Sequence, residues 1–112
     1  IKAIRVSSSA DIPLVSAFEA VADWLLFDAK PPKSMAAALP GGNALAFDWN
    51  LLHGRNLSRP WMLSGGLTAA NVGKALRATG ASTVDVSSGV EDAPGMKNPD
   101  LIHAFLEGIR NL

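Results

Sequence analysis

The chain has 112 residues, ten basic and ten acidic side chains, no cysteine and a hydrophobic fraction of 48%. That balance fits one packed domain, or part of one, and offers no basic run for a nucleic acid. The lack of cysteine excludes a disulfide framework and a thiolate metal site, and no apolar run approaches the roughly 18 residues of a membrane span.

Residues 1–6, Ile-Lys-Ala-Ile-Arg-Val, read as a first strand. A strand that opens at residue 1 without methionine is expected of a piece of a longer chain. Ser7-Ser8-Ser9 ends it. Residues 11–21 read as a short helix with Pro13 in its first turn and Ile12, Val15, Phe18 and Val21 as the buried stripe. Residues 24–28 form the second strand, apolar on both sides as in a strand covered on both faces, and ended by Asp28. Lys30-Pro31-Pro32-Lys33 stops regular structure. The loop that follows, through Gly41-Gly42-Asn43, exceeds the usual connection and reads as a lid or binding loop. Order resumes at residues 47–52 as a short helix from Asp48.

Residues 59–64 are the third strand, broken by Gly65-Gly66-Leu67. Thr68 can cap a helix over residues 69–78, with Val72, Ala75 and Leu76 buried and Gly80 as its stop. Residues 83–91, Thr-Val-Asp-Val-Ser-Ser-Gly-Val-Glu, are the most informative stretch. Val84 and Val86 share one strand face, which leaves Asp85 and Ser87 on the other. Ser87-Ser88-Gly89 then offers small residues whose backbone N–H groups suit an anion such as phosphate. An ordinary strand end with a solvated turn is the equal alternative. Residues 92–95 turn the chain. Asn98 caps, and Pro99 begins, a last helix with the stripe Leu101, Ile102, Phe105, Leu106 and Ile109.

Strand followed by helix, four times over, argues for parallel strands with right-handed crossovers. Four such units make half of a (β/α)8 barrel or a small open sheet. Polar residues gather at the C-terminal ends of strands two, three and four: Asp28, then Ser64-Gly65-Gly66, then Asp85 with Ser87-Ser88-Gly89. A barrel places its active site at that rim and its phosphate in the loops after the last two strands. That placement favours the barrel, so the expected fold is α/β, with residues 1–112 making about half of a (β/α)8 TIM barrel.

Taken together, the motifs resemble phosphoribosylanthranilate isomerase. They are Ile1-Lys2-Ala3; Leu25-Leu26-Phe27-Asp28-Ala29-Lys30; Gly41-Gly42 with Phe47-Asp48-Trp49; Leu63-Ser64-Gly65-Gly66-Leu67 with Asn71-Val72; Val84 through Glu91; and Pro94 through Pro99. The resemblance covers strands five to eight of that family, and so implies that residues 1–112 are about the C-terminal half, (β/α)5–8, of a single (β/α)8 TIM barrel. It departs at Ala44, where the family carries glycine. It implies an aldose–ketose isomerase of tryptophan biosynthesis that performs an Amadori rearrangement by general acid–base catalysis, with no cofactor and no metal. The family's general-base cysteine lies in its first half, so this chain alone is expected to be inactive.

Residue by residue, Asp28 matches the general acid and Asp85 a substrate-facing acid. Gly65, Gly66, Ser87, Ser88 and Gly89 match a phosphate cradle. Each has a plainer reading: Asp28 as a loop cap paired with Lys30, Asp85 as a structural hydrogen-bonder, the glycines as turn-makers. Asn43 and Asp48 are weaker candidates. Trp24, Trp49 and Trp61 read as packing, His53 and His103 as surface residues. Lys97 reads as a solvated lysine, with a role in attracting phosphate by charge as the alternative. The implied partners are a phosphorylated aminosugar and the N-terminal half-barrel, in a cytoplasmic monomer or homodimer, without nucleic acid or membrane. The alternative function is a non-catalytic half-barrel module that binds sugar phosphates.

Overall fold

A computed structural model describes residues 1–6, 11–28, 49, 51–54 and 57–112. The long loop expected over residues 30–43, the candidates Asn43 and Asp48, and the departure at Ala44 lie outside the described residues. Three strands form one parallel sheet in chain order: β1 (Lys2–Arg5), β2 (Leu25–Asp28) and β3 (Trp61–Ser64). The expected fourth strand shortens to a single parallel bridge, Leu63 to Val84. Leu63 takes both ladder bonds there, donating to the Thr83 carbonyl and accepting from the Asp85 N–H. Pairing stops at Ser87, whose φ of −130° and ψ of −85° leave the extended region. Simple chain order has no point at which the winding reverses, unlike a doubly wound sheet.

The register decides what the sheet presents. Ile4, Phe27 and Leu63 are opposite one another, and Val84 continues the rung. The first three are buried. Side chains alternate along a strand, so the next rung, Arg5, Asp28 and Ser64, faces the other side. Leu26 and Met62, also on that side, are half-buried and Ala3 is exposed. The expectation that β2 is covered on both faces is therefore corrected: among the described residues only one face is fully covered.

Helix α1 (Pro13–Glu19) lies between β1 and β2 in sequence and buries Val15, with Ile12 and Phe18 packed beside it. Val21, expected in the stripe, is 81% exposed, because the helix ends at Glu19 and the following turn carries Val21 off its inner face. Glu19 instead anchors the far end of the next connection. Its Oε2 accepts from the N–H and the hydroxyl of Ser58, and its carbonyl accepts from Arg59 Nε. Trp61 packs edge-on against Phe27 at 5.4 Å, and Trp49 is buried, as packing roles predict.

Helix α2 (Val72–Thr79) buries Val72 and Ala75 and ends at Gly80, whose φ of 76° is the left-handed stop expected of it. Thr68 accepts the first helical N–H groups through its carbonyl, but its side chain makes no cap. The cap bond comes from Asn71, whose Oδ1 accepts from the Thr68 N–H, the reach-back half of a capping box. His53, exposed, holds the other end through Nδ1 at 2.9 Å from the Ala78 carbonyl.

After the bridge, Ser88–Val90 forms one 3₁₀ turn. A small antiparallel hairpin follows, β4 (Glu91–Ala93) and β5 (Met96–Lys97). Helix α3 (Pro99–Arg110) starts where expected: Asn98 accepts from the N–H groups of Asp100 and Leu101, with Pro99 at its first position. Its covered stripe is narrower than predicted. Phe105 is buried, Leu101 and Ile109 are half-buried, and Ile102 and Leu106 are exposed. No helix among the described residues is long and apolar enough to cross a membrane.

Two outcomes follow from these contacts. The Glu19 carboxyl is held below its ordinary 4.5, first by the Ser58 hydroxyl and then by the Ser58 N–H. A depressed folded pKa gives stability that is present above 4.5 and lost as pH falls through the folded value. Thermal melts of E19Q should therefore lie below the parent at neutral pH and converge with it under acid. At Gly89 a Cβ would lie 1.8 Å from the Leu67 carbonyl oxygen. Gly89→Ala should lower stability by about 1–3 kcal/mol, as overpacking does, read by urea unfolding of both chains.

Candidate active site

The C-terminal edge of the sheet carries a pocket of about 160 Å³. Asp28, Gly65, Gly66, Asp85, Ser87, Ser88 and Gly89 all line it, with Ser64, Leu67 and Val86. Among the described residues, the acid, the substrate-facing and the phosphate candidates thus border one cavity. The register explains the meeting. Asp28 and Ser64 are opposite each other on the open face, and the Ser64 hydroxyl donates to Asp85 Oδ2 at 3.0 Å. Asp85 is exposed and Asp28 half-buried.

The pocket's other wall is backbone. Gly65 and Gly66 have φ of 96° and 67°, a run of two left-handed residues that only glycine adopts without strain. Gly89 is needed for a different reason. Its φ is not positive, but its Cα presses on the Leu67 carbonyl, so the loops after β3 and after the Val84 bridge touch. The turn-making reading of Gly89 is replaced by close approach.

The loop carbonyls are taken up away from the cavity. Gly66 O accepts from Asn71 Nδ2 at 2.9 Å. Ser87 O accepts from the Val90 N–H at 3.2 Å and from Lys97 Nζ at 3.1 Å, and Ser88 O accepts from the Glu91 N–H. In a trans peptide the N–H across the bond points opposite to the carbonyl. The N–H groups of Leu67, Ser88 and Gly89 are therefore turned to the other side, where these three residues line the pocket. Among the described residues none accepts from these three N–H groups. Converging free N–H groups form a fixed partial positive charge and suit an anion. Across from them stand the two carboxyls, Asp28 and Asp85, able to exchange protons or accept hydrogen bonds. At about 160 Å³ the pocket is smaller than the ~300 Å³ lower end of whole-ligand sites, so it fits one group of a ligand rather than all of it.

Sequence reasoning missed Asn71 and Lys97 as builders of this wall. Asn71 had its signal in the capping-box spacing with Thr68, three residues apart. Lys97 had none local to it: it reaches Ser87 only because the hairpin folds back. A second cleft, of about 220 Å³, lies between α1 and the side chains of Leu52 and Leu57, lined also by Phe27, with Glu19 as its charged group. That carboxylate is already engaged by Ser58. No group of three or more metal-ligating side chains occurs among the described residues, and His103 is an exposed neighbour of Glu107.

Comparison with known proteins points to one family. The family model for N-(5'-phosphoribosyl)anthranilate (PRA) isomerase matches residues 1–108. The N-(5'-phosphoribosyl)anthranilate isomerase of Rhodospirillum centenum is 61% identical over 105 residues, covering 94% of this chain and 49% of the relative. That of Paramagnetospirillum magneticum is 58% identical over 109 residues, 97% of this chain and 50% of the relative. The crystal structure of phosphoribosyl anthranilate isomerase from Thermotoga maritima superposes with a TM-score of 0.79 at 36% identity, over 99% of this chain and 51% of that one. A solved structure of a phosphoribosyl anthranilate isomerase in complex with reduced 1-(o-carboxyphenylamino)-1-deoxyribulose 5-phosphate gives a TM-score of 0.67 at 30% identity, over 99% of this chain and 48% of that one. The chain spans about half the length of the curated relatives it matches. With motif, fold and match running together almost from end to end, the chain belongs to the N-(5'-phosphoribosyl)anthranilate isomerase family.

Proposed function

We propose that this chain is the C-terminal half, (β/α)5–8, of a phosphoribosylanthranilate isomerase barrel. It would supply the general acid and the phosphate cradle for the Amadori rearrangement of N-(5-phosphoribosyl)anthranilate in cytoplasmic tryptophan biosynthesis. One observation carries the reading: Asp28 and the outward-facing amides of Leu67, Ser88 and Gly89 border a single small pocket at the C-terminal edge of a parallel sheet. Sites of barrel enzymes form at that edge, and phosphate sits in the loops of the last strands.

The chemistry distributes over these residues as follows. The substrate's phosphate occupies the cup formed by Gly65, Gly66, Ser87, Ser88 and Gly89, held by the N–H groups of Leu67, Ser88 and Gly89. The ribose then extends towards the carboxyls. Asp28 gives its proton to the ring oxygen, the C1–O bond breaks, and the anthranilate nitrogen's lone pair forms a C=N bond to C1. Removal of the C2 proton by a base converts that cation to the enolamine, which tautomerises to the aminoketose. Asp85, held by Ser64, orients the anthranilate nitrogen or the ribose. The base that takes the C2 proton is the family's cysteine, and this chain has none. The rim open beside Ala3 and Leu26 is the face that an N-terminal half-barrel would close.

The test is reconstitution. Co-folding this chain with the N-terminal half of a close relative should restore isomerisation of phosphoribosylanthranilate, followed by loss of the substrate's fluorescence. Either half alone should be inactive; inactivity of a folded complex containing the cysteine would refute the assignment. In the active complex Asp28→Asn should lower kcat by about 10²–10⁴-fold, the usual contribution of one general acid, with KM changed little. A fall in affinity with kcat intact would remove Asp28 from the acid role.

A further inference from the structure

Lys97 lies outside the pocket, on the short strand β5, and its ammonium makes three contacts within one loop. It donates to the Ser87 carbonyl at 3.1 Å, to Ser87 Oγ at 3.4 Å and to Glu91 Oε2 at 2.6 Å. Glu91 and Lys97 are also cross-strand partners in the β4–β5 hairpin, so the pairing fixes where the ammonium sits. The hairpin is tied down in turn by Asn98. Its N–H donates to the Val90 carbonyl, and its Nδ2 donates to Asp92 Oδ1. Lys97 is thus the far end of a rigid brace whose near end is the Ser87 peptide.

The two seryl carbonyls of the turn are held differently. Ser88 O takes the Glu91 N–H in good 3₁₀ fashion. Ser87 O has a single backbone donor, the Val90 N–H, at 3.2 Å. Without Lys97 the Ser87 carbonyl keeps only that one long bond, and rotation of the Ser87–Ser88 peptide would take the Ser88 N–H out of the cavity.

We propose that Lys97, clamped by Glu91, is a positioning residue: it pulls the Ser87 carbonyl out of the pocket and so aims the Ser88 and Gly89 N–H groups at the bound phosphate. The proposal rests on the phosphate reading of the pocket and adds to it a residue that does not touch the ligand. It also differs from simple attraction of an anion by a nearby lysine. Glu91 neutralises the ammonium: its carboxyl is held below the ordinary value, first by the hydrogen bond from Lys97, and so carries its charge at neutral pH. What the pair delivers to the loop is geometry, with no net charge.

This difference gives opposite signs for one substitution. Glu91→Gln removes a negative charge beside the pocket. Long-range attraction would then strengthen phosphate binding. A clamp would weaken it, because the ammonium loses its anchor and strays from the Ser87 carbonyl. The experiment is a titration of the 112-residue chain with inorganic phosphate, read on the backbone amide resonances of Leu67, Ser88 and Gly89. The parent should show saturable shifts at these amides. Lys97→Ala should weaken binding by roughly tenfold, what one charge-assisted hydrogen bond to the loop is worth. E91Q should weaken it in the same direction, and Lys97→Arg, which keeps a cation able to reach both partners, should retain most of it.

Without phosphate, the Ser88 and Gly89 amides of K97A and E91Q should already resonate away from their parent positions and exchange faster with solvent. Tighter phosphate binding by E91Q, or parent-like Ser88 and Gly89 amides in both variants, would overturn the positioning role while leaving the pocket reading intact. A parent chain whose amides do not respond to phosphate would overturn the pocket reading itself, and the positioning role with it. Since E91Q keeps the lysine, it decides the matter even if K97A does not fold.

Discussion

The buried rung Ile4–Phe27–Leu63 sets the register on which the site depends. Side chains alternate along each strand, so burying these three forces their C-terminal neighbours Arg5, Asp28 and Ser64 to the opposite face, at the strand ends. A slip of one residue in any strand would turn an apolar side chain out and a polar one in, and the core forbids it. The apolar contacts on one side of the sheet therefore position the carboxyls on the other. Asp85 joins them through a single bridge at Val84, with the Ser64 hydroxyl bonded to its carboxylate.

A second constraint concerns the backbone. A loop makes an anion site only when its N–H groups face the cavity and its carbonyls do not. Here that separation is enforced by side chains and by hairpin geometry rather than by a long helix. Asn71 takes the Gly66 carbonyl and caps the start of α2 with the same amide group. Lys97 takes the Ser87 carbonyl from the other side. Between the two loops, the contact of Gly89 with the Leu67 carbonyl sets their spacing. The two halves of the cup are thus registered against each other by direct backbone contact, and a side chain at 89 would part them.

Much of this was legible in the sequence because it depends on local rules. The strands show as apolar runs, Asn98-Pro99 and Gly80 mark helix ends through cap chemistry, and the glycine pair marks left-handed backbone. Asp28, Asp85 and the Ser-Ser-Gly turn were legible as a set through the family motifs. Other features depend on tertiary placement and left no local mark. Val84 and Val86 read as a full strand, but the chain leaves the sheet after one bridge because Ser87 is drawn aside into the 3₁₀ turn. Ile102 and Leu106 share the helical periodicity of Phe105 yet stay exposed, since periodicity gives an apolar arc and not the width of the surface that covers it. Lys97 looked solvated because its partners are ten and six residues away, across a turn whose closure the sequence does not announce.

If one ligand spans from the amide cup to Asp28, a crystal structure of the reconstituted two-half protein with a bound aminoketose phosphate will show it. Phosphate oxygens should lie about 3 Å from the Leu67, Ser88 and Gly89 nitrogens, with the Asp28 carboxyl at hydrogen-bond distance from the former ring oxygen. A phosphate bound elsewhere, or an Asp28 carboxyl turned away from the sugar, would contradict it.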